Sequence, residues 1–104
     1  MTSARWNAEI AKMKQAFPDF EPFQSADLVG FVGKLRGPGG GIFTVRIEAA
    51  GSRYPAQMPS IYISPRVGDN YSRGALCVDR RWRPDRDTFA QNVLYAASYL
   101  RIHG

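Results

Sequence analysis

The hydrophobic period of this chain switches twice, and the switch limits its architecture more than any other feature. Trp6, Ile10, Met13 and Phe17 recur at steps of four, three and four, which places them on one face of a helix. Ser3 suits an N-cap, and Pro18 ends the helix at Phe17. Arg5, Glu9, Lys12 and Lys14 fall mostly off that stripe, on faces expected to be solvated. Phe20 and Phe23 follow in a Pro-punctuated stretch predicted as loop. Then the period falls to two. Phe43, Val45 and Ile47 alternate with Thr44 and Arg46, the pattern of a strand with one buried side. Residues 28–35 are apolar and β-prone despite Gly30 and Gly33. The intervening Gly37-Pro38-Gly39-Gly40-Gly41 is a turn by composition, so residues 28–47 are predicted to form a hairpin. No Lys-Ser/Thr pair and no helix follow these glycines, which disfavours a phosphate loop. Ile61-Tyr62-Ile63 predicts a further strand after a loop stiffened by Pro55 and Pro59. The helical period returns at residues 88–101. There Thr88 and Gln91 have capping-box spacing, and Phe89, Val93, Ala96 (or Ala97) and Leu100 form the apolar stripe.

Adjacent strands on short loops favour an antiparallel meander of three or four strands. With a helix on either side, the expected class is α+β. The 104 residues are expected to form a single domain, 1–104. A chain of this size can bury roughly 65% of its unfolded surface, enough for one core. Hydrophobic residues make up 44% and charged residues 22%, which excludes disorder as a description of the whole chain. No apolar run reaches the length of a membrane span, and residues 1–20 show no secretory signal. One cysteine, Cys77, and one histidine, His103, exclude an internal disulfide and a Cys/His zinc site. Neither a metal nor an organic cofactor is expected. An unpaired thiol suits a reducing cytoplasm.

The net charge is +5. Basic residues cluster only at Lys12/Lys14 and at Arg80, Arg81, Arg83 and Arg86, where Asp79, Asp85 and Asp87 are interleaved. Nucleic-acid binding is therefore disfavoured, and a basic face for an acidic protein partner fits at least as well.

Residues 64–87 show no clear period, and an irregular stretch this long inside a small domain is usually functional or partly ordered. Four features in and around it fall in order: Gly37-Pro38 after a strand; Tyr54-Pro55-Ala56-Gln57-Met58-Pro59 before the next; Gly74-Ala75-Leu76-Cys77-Val78-Asp79; and Trp82-Arg83-Pro84 before the last helix. In this order they resemble the ubiquitin-conjugating enzyme family, over nearly the whole chain. Met58 stands where the family has a proline. Gly68-Asp69-Asn70 occupies the place of its His-Pro-Asn segment, so Asn70 is matched to that asparagine in a shorter loop.

The resemblance implies a small ubiquitin-conjugating-like core without the family's two C-terminal helices and the acidic loop before them. It implies that Cys77 carries a ubiquitin-like protein as a thioester, received from an activating enzyme and passed to an amine of a protein substrate. Asn70 would donate to the oxyanion of the transfer step, or hold the loop through an Asx turn. Asp69 would orient or deprotonate the amine. Arg5, Lys12 and Lys14 would dock the activating enzyme. Short relatives of this kind occur in bacterial conjugation operons, some linked to antiviral defence. The alternatives are a non-catalytic adaptor of the same fold, or, for Cys77 itself, a small buried hydrophobe.

Overall fold

The computed structural model describes residues 1–104. The elements are α1 (Ser3–Ala16), β1 (Glu21–Gln24), β2 (Leu28–Arg36), β3 (Ile42–Ala50), β4 (Ser60–Ser64), β5 (Tyr71–Ser72), β6 (Ala75–Leu76) and α2 (Phe89–His103). The first four strands form an antiparallel meander in the order β1-β2-β3-β4, and β5 and β6 form a separate hairpin. The class is α+β, as the periods predict. No helix is long and apolar enough to cross a membrane.

Register explains the core. Phe31 pairs with Ile47 and Ile47 with Ile61; Gly33 pairs with Val45 and Val45 with Ile63. A period of two sends these rows to one side of the sheet, where Phe31, Ile47, Ile61, Val45 and Ile63 are buried. Both helices cover that side. The ring of Trp6 on α1 lies 5.2 Å from Phe31 and 6.0 Å from Phe89 of α2, and Phe89 lies 5.3 Å from Phe31. Trp6 and Met13 of the α1 stripe are buried, while Ile10 and Phe17 pack at its margin. Phe89, Val93, Ala96 and Leu100 of α2 are all buried.

Four expectations are corrected. Residues 21–24 are not loop but the edge strand β1. Its Pro22 stands opposite Phe31, and an edge strand tolerates a residue with no N–H to give. Close neighbours explain the two glycines of β2: a Cβ at Gly33 would fall 2.5 Å from the Phe20 ring, and one at Gly30 would run into the Ile47 backbone carbonyl of β3 as well as the Phe23 ring. The N-cap of α1 is Thr2, whose hydroxyl accepts from the Arg5 N–H at 3.1 Å. Thr88 makes no side-chain capping bond at α2, and its buried Oγ1 has no partner.

The bond expected of Thr88 is made from elsewhere. The Phe89 N–H donates to Oε1 of Glu9 at 3.0 Å. Glu9 is 2% exposed, not solvated. Its Oε2 accepts from Arg5 Nε at 2.9 Å and from the buried Tyr54 hydroxyl. A carboxylate is a stronger acceptor than a hydroxyl and suits the positive end of the helix dipole, so Glu9 replaces the local cap.

Candidate functional site

The stretch 64–87 is ordered by bonds to groups remote in sequence. At its start, the Val67 carbonyl accepts from the hydroxyls of Tyr71 and of Tyr99 on α2, both at 2.9 Å. His103, at the end of α2, stacks against the Tyr99 ring at 4.3 Å. In the middle, β5 and β6 are joined by Arg73 (φ 53°) and Gly74 (φ 84°), a two-residue turn with both residues left-handed. Glycine adopts this conformation without a Cβ penalty.

Cys77 follows β6, and Asn70 precedes β5. The Cys77 N–H donates to the Asn70 carbonyl at 2.8 Å, extending the ladder by one pair. The Asn70 side chain returns the bond, Nδ2 donating to the Cys77 carbonyl at 3.0 Å. Two bonds therefore fix the backbone of Cys77. Leu76 before it is buried and Val78 after it half-buried, whereas Cys77 itself is exposed. The thiol is not core filler, which excludes the buried-hydrophobe alternative. Asp69, next to Asn70, is exposed, with its carbonyl accepting from the Tyr71 N–H.

Beyond Cys77 the chain is pinned twice. Trp82 Nε1 donates to the Pro55 carbonyl at 2.7 Å, and its ring packs 6.0 Å from that of Tyr54. The motifs around Tyr54 and Trp82 thus meet in space. Next, the buried Asp87 closes the turn before α2: Oδ2 accepts from the Arg83 N–H at 2.7 Å, and Oδ1 from Arg80 Nη2 at 2.8 Å. Arg5 braces this turn from α1, Nη1 donating to the Pro84 carbonyl at 2.8 Å and Nη2 to the Asp87 carbonyl at 2.7 Å. Burial, followed by donation to Glu9, pushes the Tyr54 hydroxyl well above the ordinary tyrosine range.

The sequence-predicted site residues thus separate. Cys77, Asn70 and Asp69 share one hairpin end. Arg5 is turned inward on Glu9, Tyr54, Pro84 and Asp87, so it braces the loop, whereas Lys12 and Lys14 remain exposed on α1. Sequence reading missed two anchors, Glu9 and Asp87. Glu9 had a signal, since Trp6, Glu9 and Met13 are spaced three and four apart, on the core face. No three His, Cys, Asp or Glu side chains come together to hold a metal ion. Comparison of the chain with protein-family models, with curated proteins and with solved structures finds no match.

Proposed function

We propose that this chain is a small ubiquitin-conjugating-like protein that carries a ubiquitin-like modifier on Cys77, in a reducing cytoplasm and, by its resemblance, in a bacterial antiviral-defence conjugation system. The observation that carries the reading is an exposed thiol on a backbone held by both bonds of the Asn70–Cys77 pair. A carrier needs a nucleophile that an enzyme can reach, on a loop that does not shift when loaded. The order of helix, four-stranded meander, cysteine loop and helix agrees with a shortened core of that family.

In this mechanism the Cys77 thiolate attacks the thioester carbonyl joining the modifier's C-terminal glycine to the activating enzyme, and the enzyme's own thiolate leaves. An acceptor amine of a protein substrate then attacks the Cys77 thioester. The amine's proton passes to Asp69 or to water, the amide forms, and the Cys77 thiolate leaves. Asn70 has two amide hydrogens. One is used on the Cys77 carbonyl, and the second is left for the oxyanion. Lys12 and Lys14 form the docking face for the activating enzyme.

The rival is a non-catalytic adaptor, favoured by the use of the Asn70 amide as a loop tie. Incubation with cognate activating enzyme, modifier and ATP separates the two. The expected result is a thiol-reducible adduct with wild type, a slower-turning oxyester with Cys77→Ser and nothing with folded Cys77→Ala. If no adduct forms, the adaptor reading replaces this one.

A further inference from the structure

A cleft of about 470 Å³ lies between the 80–87 turn and the first turn of α2, lined by Arg80, Arg81, Arg83, Arg86, Asp87 and Gln91. Its lining thus holds four arginines and one carboxylate. That carboxylate is already satisfied, since Asp87 accepts from Arg80 and from the Arg83 N–H. Arg80 is further occupied by stacking on the Tyr95 ring at 5.4 Å. The side chains of Arg81, Arg83 and Arg86 make no hydrogen bond or ion pair within the chain. Asp79 and Asp85, interleaved in the sequence, do not line the cleft. Three positive charges therefore meet in one concavity without a counter-charge.

We propose that this cleft is a binding site for adjacent phosphate groups, either free as an oligophosphate or carried on a nucleotide. Three features select this chemistry. Guanidinium groups bind phosphate oxygens through paired, charge-assisted hydrogen bonds. No apolar side chain lines the cleft, whereas the centre of a protein-docking surface is depleted in charge and enriched in aromatic residues. The turn is also pre-formed: the Asp87 N–H donates to the Arg83 carbonyl at 2.8 Å, and Arg5 holds the carbonyls of Pro84 and Asp87 from outside the cleft. Binding then orders only side chains, not backbone. The site does not depend on Cys77 chemistry and stands if the proposed function fails.

The test is calorimetric titration of the full chain with sodium tripolyphosphate, orthophosphate, a nucleoside triphosphate and an Asp/Glu-rich peptide at matched ionic strength. Tripolyphosphate is expected to bind more tightly than orthophosphate or the peptide, with affinity falling as salt rises. A nucleoside triphosphate that binds no tighter identifies the free oligophosphate as ligand, and one that binds tighter identifies the nucleotide. Arg81→Gln/Arg86→Gln should weaken tripolyphosphate by about tenfold or more, the effect of losing one charge-assisted bond. Lys34→Gln/Arg36→Gln on β2, with the same change in net charge, should not. Absence of tripolyphosphate binding, equal weakening by both double variants, or a peptide that binds as tightly would overturn the proposal.

Discussion

The N–H of Phe89 donates to the carboxylate of Glu9, eighty positions earlier in the chain. The start of the last helix is thus capped by the middle of the first. Glu9→Ala would leave the Phe89 N–H, the Tyr54 hydroxyl and Arg5 without their shared acceptor. The expected loss is about 3–4 kcal/mol, typical of removing one member of a buried charged group. Denaturant unfolding of the variant measures it, and a loss below about 1 kcal/mol would contradict this assignment.

Thr88 supplies the complementary measurement. A hydroxyl that capped α2 would cost about 1 kcal/mol on removal. Its Oγ1 is buried without a partner, so Thr88→Val is expected to leave stability unchanged or raise it. A clear loss on chemical denaturation would restore the local capping box.

Tyr54 predicts a pH dependence. Its hydroxyl holds its proton well above the ordinary value of 10.0 because it is buried and bonded to Glu9. Below that value folded and unfolded chains both keep the proton, and the stabilisation is fully present. Above it only the unfolded chain releases the proton, so stability falls as pH rises. Melting curves between neutral and strongly alkaline pH should show this fall, and Tyr54→Phe should reduce it. An equally steep fall in the variant would place the effect elsewhere.

Trp82 clamps the cysteine loop to the Tyr54-Pro55 segment. It is only half-buried, so Trp82→Ala is expected to cost about 2–3 kcal/mol, below the ~3–5 kcal/mol of a fully enclosed ring. Trp82→Phe, which loses the bond to the Pro55 carbonyl but keeps most of the ring contact, should cost about 1 kcal/mol. Equal losses would show that the hydrogen bond, rather than the packing, holds the loop.

Native Cys77 should be alkylated by thiol reagents without prior unfolding, because it is exposed. On the proposed mechanism Asn70→Ala still accepts the modifier but discharges it to lysine about 10²-fold more slowly. The exposed bond it loses should shift stability by no more than about 1 kcal/mol. Single-turnover discharge assays read the first effect and thermal melts the second. Normal discharge by the variant would leave Asn70 as a loop tie alone.

The parts of the fold that were legible in the sequence are those written in local periodicity. The α2 stripe and the alternation of β3 need only neighbours three, four or two positions away. β1 was not legible, because Pro22 and its polar neighbours mask a four-residue edge strand whose reason is pairing with β2. Around the candidate site, the exposed cysteine and its asparagine could be named from the sequence, but not their mutual bonds. The Arg73-Gly74 turn was a usable hairpin signal that brings Asn70 opposite Cys77. Glu9 and Arg5 were misread, and Asp87 overlooked, for a common reason. A charged side chain on a helix or loop defaults to solvent unless a remote partner is known, and their partners lie on elements that meet only in the folded chain.

The bracing of the 80–87 turn by Arg5 also bears on the order in which the molecule assembles. Its bonds to Pro84 and Asp87 close loops of 79 and 82 residues. Contacts so far apart in sequence carry the entropy cost of closing a long loop, so they are expected to form after the local hairpins. The cysteine hairpin has local pairing, but the turn that follows it acquires its shape from the opposite end of the polypeptide. The turn beyond the cysteine hairpin thus depends on the first helix for its shape, whereas the hairpin itself does not.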